Sequence, residues 1–104
     1  MVLELRCHPA RRLVEEPLSA THEASEILSE FAKLLAPVIA DGNRKRGGPD
    51  NGVWKTDPGH EPALHRHLIR YEMGEQADKD SGSHPLVHAA FRCLAIAWQD
   101  THEV

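Results

Sequence analysis

The chain has 104 residues, 40% of them apolar but only 5% aromatic, and a formal charge of −4 from 16 acidic and 12 basic side chains. That length fits one modest core, and the mixed, slightly negative charge excludes a protein that works by phosphate-backbone attraction, so nucleic acid is not an expected partner. A membrane is not expected either, because Met1-Val2-Leu3-Glu4-Leu5 is charged almost at once and no long apolar run follows; a cytoplasmic protein is expected, with Cys7 and Cys93 as free thiols.

Alanine and leucine dominate the apolar share, which suits helix packing better than a sheet of β-branched residues. The expected fold is all-α: a single domain over 1–104, a small bundle of three main helices with a long irregular loop. Three helices of this length leave an apolar side over, so a second copy is expected to complete the bundle as a homodimer.

Residues 1–18 form a lead-in arm, where Pro9 and Pro17 interrupt the short apolar patch of Val2, Leu3 and Leu5. Helix one is expected over 21–41, with Thr21 as its N-cap and Glu23 in its first turn. Ile27, Phe31, Leu34 and Val38 share a face, broadened by Leu28 and Leu35, and that face is read as core. Pro37 should kink the helix or open its last turn, and Gly42 is a natural exit. From Asp41 to Gly59 the chain carries five glycines and two prolines, which marks 42–60 as a long connection and a candidate binding loop. Trp54 within it either anchors the loop to the core or stacks on a ligand.

Helix two is expected over 61–73, opened by Pro62 in its first turn, carrying Leu64, Leu68 and Tyr71, and stopped by Gly74. After a polar turn, helix three is expected over 83–100, with Val87, Phe91, Leu94 and Trp98 on one stripe widened by Ala90 and Ala97. The short link makes helices two and three antiparallel neighbours.

Three groups carry chemistry. Glu23, Glu26 and Glu30 lie along one side of helix one, at the margin of its apolar stripe, although a solvated helix edge has the same pattern. Glu75, Asp78 and Asp80, with Glu72 a turn earlier, crowd carboxylates whose repulsion a hard cation such as magnesium would relieve; solvated loop acids need no such relief. His84 and His88 stand one turn apart at a helix start, where zinc would need a third ligand from His65, His67 or Asp80, and where a simple cap or interhelical bond is the alternative. The chain has no phosphate-cradling glycine loop followed by Lys and Ser, and no dinucleotide fingerprint.

The succession Arg66-His67-Leu68, Gly74-Glu75, Asp78, Ser81-Gly82, and His84 with His88-Ala89-Ala90 resembles the small phage and bacterial domain that forms the N-terminal part of dATP/dGTP diphosphohydrolases. In that family a helix carrying Arg-His-Leu leads into a Gly-Glu-Asp-x-Asp-x-x-Ser-Gly turn and a helix opening His-Leu-x-His-Ala. The clear likeness spans residues 61–98. Upstream, the family's Gly-Ala-x-Lys-Tyr and Asn-Trp are represented only by Ala40, Gly42 and the spaced pair Asn51 and Trp54, and its Glu-Asp pair reads Glu75-Gln76.

The resemblance implies attack of water on a nucleoside triphosphate, with release of pyrophosphate from a purine deoxynucleotide. It implies a divalent metal, magnesium first, with manganese or zinc as substitutes, held by Glu75, Asp78 and Asp80. Glu26 and Glu30 supply the other wall, as in the similar all-helical nucleotide pyrophosphohydrolases with paired acid motifs. His67, His84 and His88 become phosphate contacts, acid–base groups or ligands. Arg66, Arg70 and Lys45, in the run Arg44-Lys45-Arg46, neutralise the triphosphate, and Trp54 stacks on the base. The competing reading is a non-catalytic helical binding or regulatory protein, of a kind a phage could encode, that docks onto a host protein. Convergence of the acids with His84 and His88 in one concave site would separate the two.

Overall fold

The computed structural model describes residues 18–102, with side chains from residue 21 on, so Cys7 and the arm before Leu18 lie outside the described residues. It is all-α there: helices α1 (Leu18–Arg46), α2 (His60–Glu72) and α3 (Pro85–Thr101), with a single 3-10 turn at Val53–Lys55. The chain divides into two compact units, Met1–Phe31 and Ala32–Val104.

Helix α1 overruns both ends expected for it. Thr21 lies inside the helix rather than capping it, and Pro37 stands well before the last turn. Gly42 is passed because a lone glycine costs a helix only about 1 kcal/mol. The helix stops at Gly47, whose φ of 87° only glycine adopts easily. There the Gly48 N–H bonds the Asn43 carbonyl at 3.0 Å and the Gly47 N–H bonds the Arg44 carbonyl at 3.2 Å, the crossed pair that closes a helix end. Gly74, with φ of 98°, ends α2 in the same way, its N–H bonding Tyr71 and that of Glu75 bonding Arg70.

Gly47→Ala should therefore lower stability by about 1 kcal/mol, while Gly48→Ala, with no left-handed φ and open space around it, should be neutral or slightly stabilising. Urea unfolding of the two variants checks this; equal losses would count against the end-cap account.

The expected apolar face of α1 is not core in this chain. In the first unit Ile27, Leu28 and Phe31 are half or more exposed; in the second Leu34 is exposed and Val38 is the one residue of that stripe that is buried. The α3 stripe is corrected too: Leu94, Ala90 and Ala97 are exposed, and the buried positions are Pro85, His88, Ala89 and Ala95. On α2 the buried line is His60, Ala63 and His67, leaving Leu68 and Tyr71 partly exposed. Periodicity finds an amphipathic helix, but which side is covered depends on the neighbour that covers it.

Helices α2 and α3 pack against each other. Tyr71 meets His84, His67 stacks on His88 and His60 meets Phe91, a descending order against an ascending one that makes the pair antiparallel. The connection from Gly47 to Gly59 is fastened to this pair. Trp54 packs edge-on against Trp98 at 4.9 Å, and the Gln99 side-chain amide donates to the carbonyls of Trp54 and Asp57, both at 3.0 Å. Among the described residues no helix is long and apolar enough to cross a membrane.

Candidate functional site

The second unit holds a cleft of about 1110 Å³ between the last turns of α1, the loop and the α2–α3 pair. Its walls carry Lys45, Arg46, Arg66, Arg70, Lys79 and Arg92 among Asp41, Asp50, Asp57, Glu75, Asp78 and Asp80, with His60, His67 and His88. Trp54, Phe91, Trp98 and several aliphatic side chains complete the lining. The two ends differ: Trp98 and His88 are ten residues apart on α3, about 15 Å at 1.5 Å per residue, so the tryptophan end and the histidine end are well separated.

At the histidine end the turn after α2 is built around Asp78, a buried carboxylate. Its Oδ2 accepts from the backbone N–H of Ser81 at 2.9 Å and of Asp80 at 3.0 Å, and from the Ser81 hydroxyl at 3.3 Å. Burial by itself would raise the Asp78 pKa, but these donors outweigh it and hold the carboxyl below its ordinary value. Arg70 stands 3.8 Å from the other oxygen. Ser81 Oγ lies 2.7 Å from His88 Nε2, and the His67 ring stacks on His88 with centroids 4.5 Å apart.

Burial pushes both imidazoles toward the neutral form. It lowers the pKa of His88, and it carries His67, which also faces His88, Arg70 and Arg92, down to about 4. His67 Nδ1 and Glu75 Oε2 are buried without a hydrogen-bond partner. Such atoms cost free energy unless water or a ligand meets them.

The sign of the His67 shift sets a pH dependence. The unfolded chain takes up a proton near 6.5 and the folded one only near 4, so this group's contribution is complete above about pH 6.5 and is lost as pH falls toward 4. The loss should be at most about 3 kcal/mol. Urea denaturation of wild type between pH 7.5 and 4.5 should show it, and His67→Phe should flatten the profile; indistinguishable slopes would rule it out.

A network of ion pairs joins the end of α1 to the turn. Lys45 Nζ is 3.0 Å from Asp41 and 3.0 Å from Asp80, while Arg44 takes the second oxygen of Asp41 at 2.8 Å. The hydrogen bonds to Asp80 and Asp41 raise the Lys45 pKa.

At the tryptophan end His60 is almost fully buried, with Nε2 2.7 Å from the Trp54 carbonyl and Nδ1 2.8 Å from Arg92 Nη1. A guanidinium only donates, so Nδ1 accepts and the Nε2–H donates to the carbonyl.

Of the residues expected from sequence, Lys45, Trp54, Arg66, Arg70, His67, Glu75, Asp78, Asp80 and His88 all line this cleft. His84 does not: it is exposed and caps α3, its Nδ1 accepting from the Leu86 N–H at 3.0 Å. Glu26 and Glu30 belong to the first unit, where both are exposed. Asp78 gives one oxygen, Oδ2, to its turn, while its Oδ1 stands 3.8 Å from Arg70.

Sequence reasoning missed Asp41, His60 and Arg92. Each had a faint signal: Asp41 is four residues before Lys45, His60 seven before His67 and Arg92 four after His88, all helix-face intervals.

Among the described residues no three His, Cys, Asp or Glu side chains gather as a ready set of metal ligands. Asp41 and Asp80 share the Lys45 ammonium, and Glu75 Oε2 is a buried carboxylate oxygen without a hydrogen-bond partner; magnesium is commonly held by only one or two carboxylates, with waters and substrate phosphates completing its shell.

The family model described as dATP/dGTP diphosphohydrolase, N-terminal, matches residues 17–104. No curated protein and no solved structure matches the chain.

Proposed function

We propose, for a chain that belongs to the dATP/dGTP diphosphohydrolase N-terminal family, that the cleft of its second unit binds a purine deoxynucleoside triphosphate and releases pyrophosphate from it. The observation that carries this reading is the polarity of the cleft. An aromatic end with Trp54 and Trp98 lies about 15 Å along α3 from an end rich in Lys45, Arg70, Lys79 and the neutral histidines, a span that suits a base at one end and phosphates at the other.

Arg70 and Arg66 present guanidiniums to the phosphates, and Trp54 offers the half-buried indole that a base can meet. Water attacks the α-phosphorus, the bond to the bridging oxygen breaks, and pyrophosphate leaves with the electron pair. His67 Nδ1 and Glu75 Oε2, unpaired within the protein, hold and orient that water. A magnesium ion, replaceable by manganese, would be held by Glu75 with the Asp41–Asp80 pair and would supply charge neutralisation on the phosphates.

The test is pyrophosphate release from a panel of ribo- and deoxyribonucleoside triphosphates with magnesium, manganese or zinc. Release that favours the purine deoxynucleotides supports the reading. Tight nucleotide binding without release from any member of the panel would convert it to a nucleotide-binding relative.

One observation favours docking to another protein chain: Leu34, Leu94 and Met73 of the second unit are exposed. A second copy of the chain fits such apolar residues, and sedimentation equilibrium should give twice the monomer mass. A monomer that neither binds nor hydrolyses nucleotides would favour a regulatory protein that docks on a host partner.

A further inference from the structure

We propose that Arg92 and Asp57 are the residues that read the base in this cleft, and that they select guanine over adenine; the proposal rests on the nucleotide reading above. Both side chains line the cleft at its tryptophan end, where Trp54 packs on Trp98. Neither belongs to the motifs that carry the family likeness.

The fold fixes each group without using it up. Arg92 Nη1 donates to His60 Nδ1 at 2.8 Å, and His60 is itself held by the Trp54 carbonyl at 2.7 Å. The Nε and Nη2 donors of that guanidinium, which form one edge of its fork, have no acceptor among the described residues. Asp57 Oδ1 accepts the Gly59 N–H at 2.8 Å, and the Gln99 amide holds the Asp57 carbonyl at 3.0 Å, which ties this part of the loop to α3. The other oxygen, Oδ2, stands 3.8 Å from Arg92 Nη1, beyond hydrogen-bond distance. A charge-assisted bond between such groups closes to about 2.8 Å. This pair stays apart, with the two side chains 27% and 37% exposed in the cleft wall. A donor fork and an acceptor oxygen thus stand side by side beside two indoles, both prepositioned and both unspent.

The edges of the two purines answer this pair differently. A guanidinium fork needs two adjacent acceptors, and guanine offers O6 and N7; adenine offers N7 beside its 6-amino group, a donor that would face the fork. On the other side of O6 guanine carries N1–H and the 2-amino group, two donors for a carboxylate that only accepts. Adenine placed the same way turns the N1 lone pair toward that carboxylate. Burial also draws the Arg92 pKa below its ordinary value, a sign of a partly dry site, where a polar group left unpaired by the wrong base is costly.

The test is calorimetric titration of the full chain, with magnesium, by deoxynucleoside triphosphates whose α–β bridging oxygen is replaced by methylene, so that binding is read without turnover. Wild type should bind the guanine analogue at least about tenfold more tightly than the adenine one, and 7-deazaguanine, which lacks the N7 acceptor, should bind more weakly than guanine. Arg92→Lys keeps the charge but not the fork and should lose most of the preference for guanine over adenine. Asp57→Asn should prefer xanthine to guanine, because its amide N–H can donate to the O2 that replaces the 2-amino group. A merely structural role would weaken all bases alike. Adenine bound by wild type as tightly as guanine, or an Asp57→Asn variant that keeps the wild-type order of bases, overturns the base-reading pair and leaves the nucleotide reading standing. No binding of any of the four analogues overturns both. Should either variant fail to fold, the wild-type ranking of guanine, 7-deazaguanine and adenine decides.

Discussion

Glu75→Gln is expected to lower the rate of pyrophosphate release by at least about 10²-fold, an increase of about 2.7 kcal/mol in the barrier, while nucleotide affinity stays within a few-fold. The substitution keeps the shape of the side chain and removes its charge. Glu75 follows the glycine that ends α2, and it brings to the cleft an oxygen that nothing in the protein satisfies. A buried oxygen without a partner calls for a donor or a cation, and the negative charge is what a metal ion or an attacking water would use. Single-turnover release and equilibrium binding separate the two effects. A Glu75→Gln variant with undiminished kcat would remove Glu75 from the chemistry and leave it a feature of the turn.

His60→Phe should destabilise the fold by about 3 kcal/mol although ring volume is kept, because two buried hydrogen bonds are lost and the Arg92 charge loses a partner. His60 is 2% exposed and joins three segments: the loop through the Trp54 carbonyl, α2 by its own position, and α3 through Arg92. The Trp54 carbonyl keeps Gln99 as a donor, whereas Arg92 is left with Asp57 at 3.8 Å. His65→Phe, on an exposed position of the same helix, should change stability by less than about 0.5 kcal/mol. Urea unfolding of the pair reads the difference, and similar values would mean that the buried network contributes little.

The contrast between His60 and His65 also shows where sequence reading stops. Both are histidines in one helical run, and composition treats them alike. His60, Ala63 and His67 are buried, whereas the larger apolar residues Leu68 and Tyr71 of the same helix are 37% and 45% exposed. The same inversion occurs on α3, where His88, Arg92 and Gln99 point into contacts while Leu94 is exposed. Where a cleft takes polar side chains inward, a periodicity rule that assigns the apolar side to the core misreads those positions.

The sequence by itself determined the helical class, the stop at Gly74 and the antiparallel α2–α3 pair, because these follow from local propensity, a left-handed glycine and short-range spacing. The likeness over Arg66-His67-Leu68 and Glu75 through His88 pointed to the family that the match over residues 17–104 establishes. Only the tertiary structure decided that α1 runs on to Gly47, that His84 caps a helix outside the cleft, and that Asp41 shares Lys45 with Asp80. The shared lysine depends on which distant group arrives beside a residue, whereas the helix end and the cap are closed by local bonds, to Asn43 and Arg44 and from Leu86. A buried carboxylate or an unpaired imidazole is created by its surroundings, which no local stretch of sequence contains.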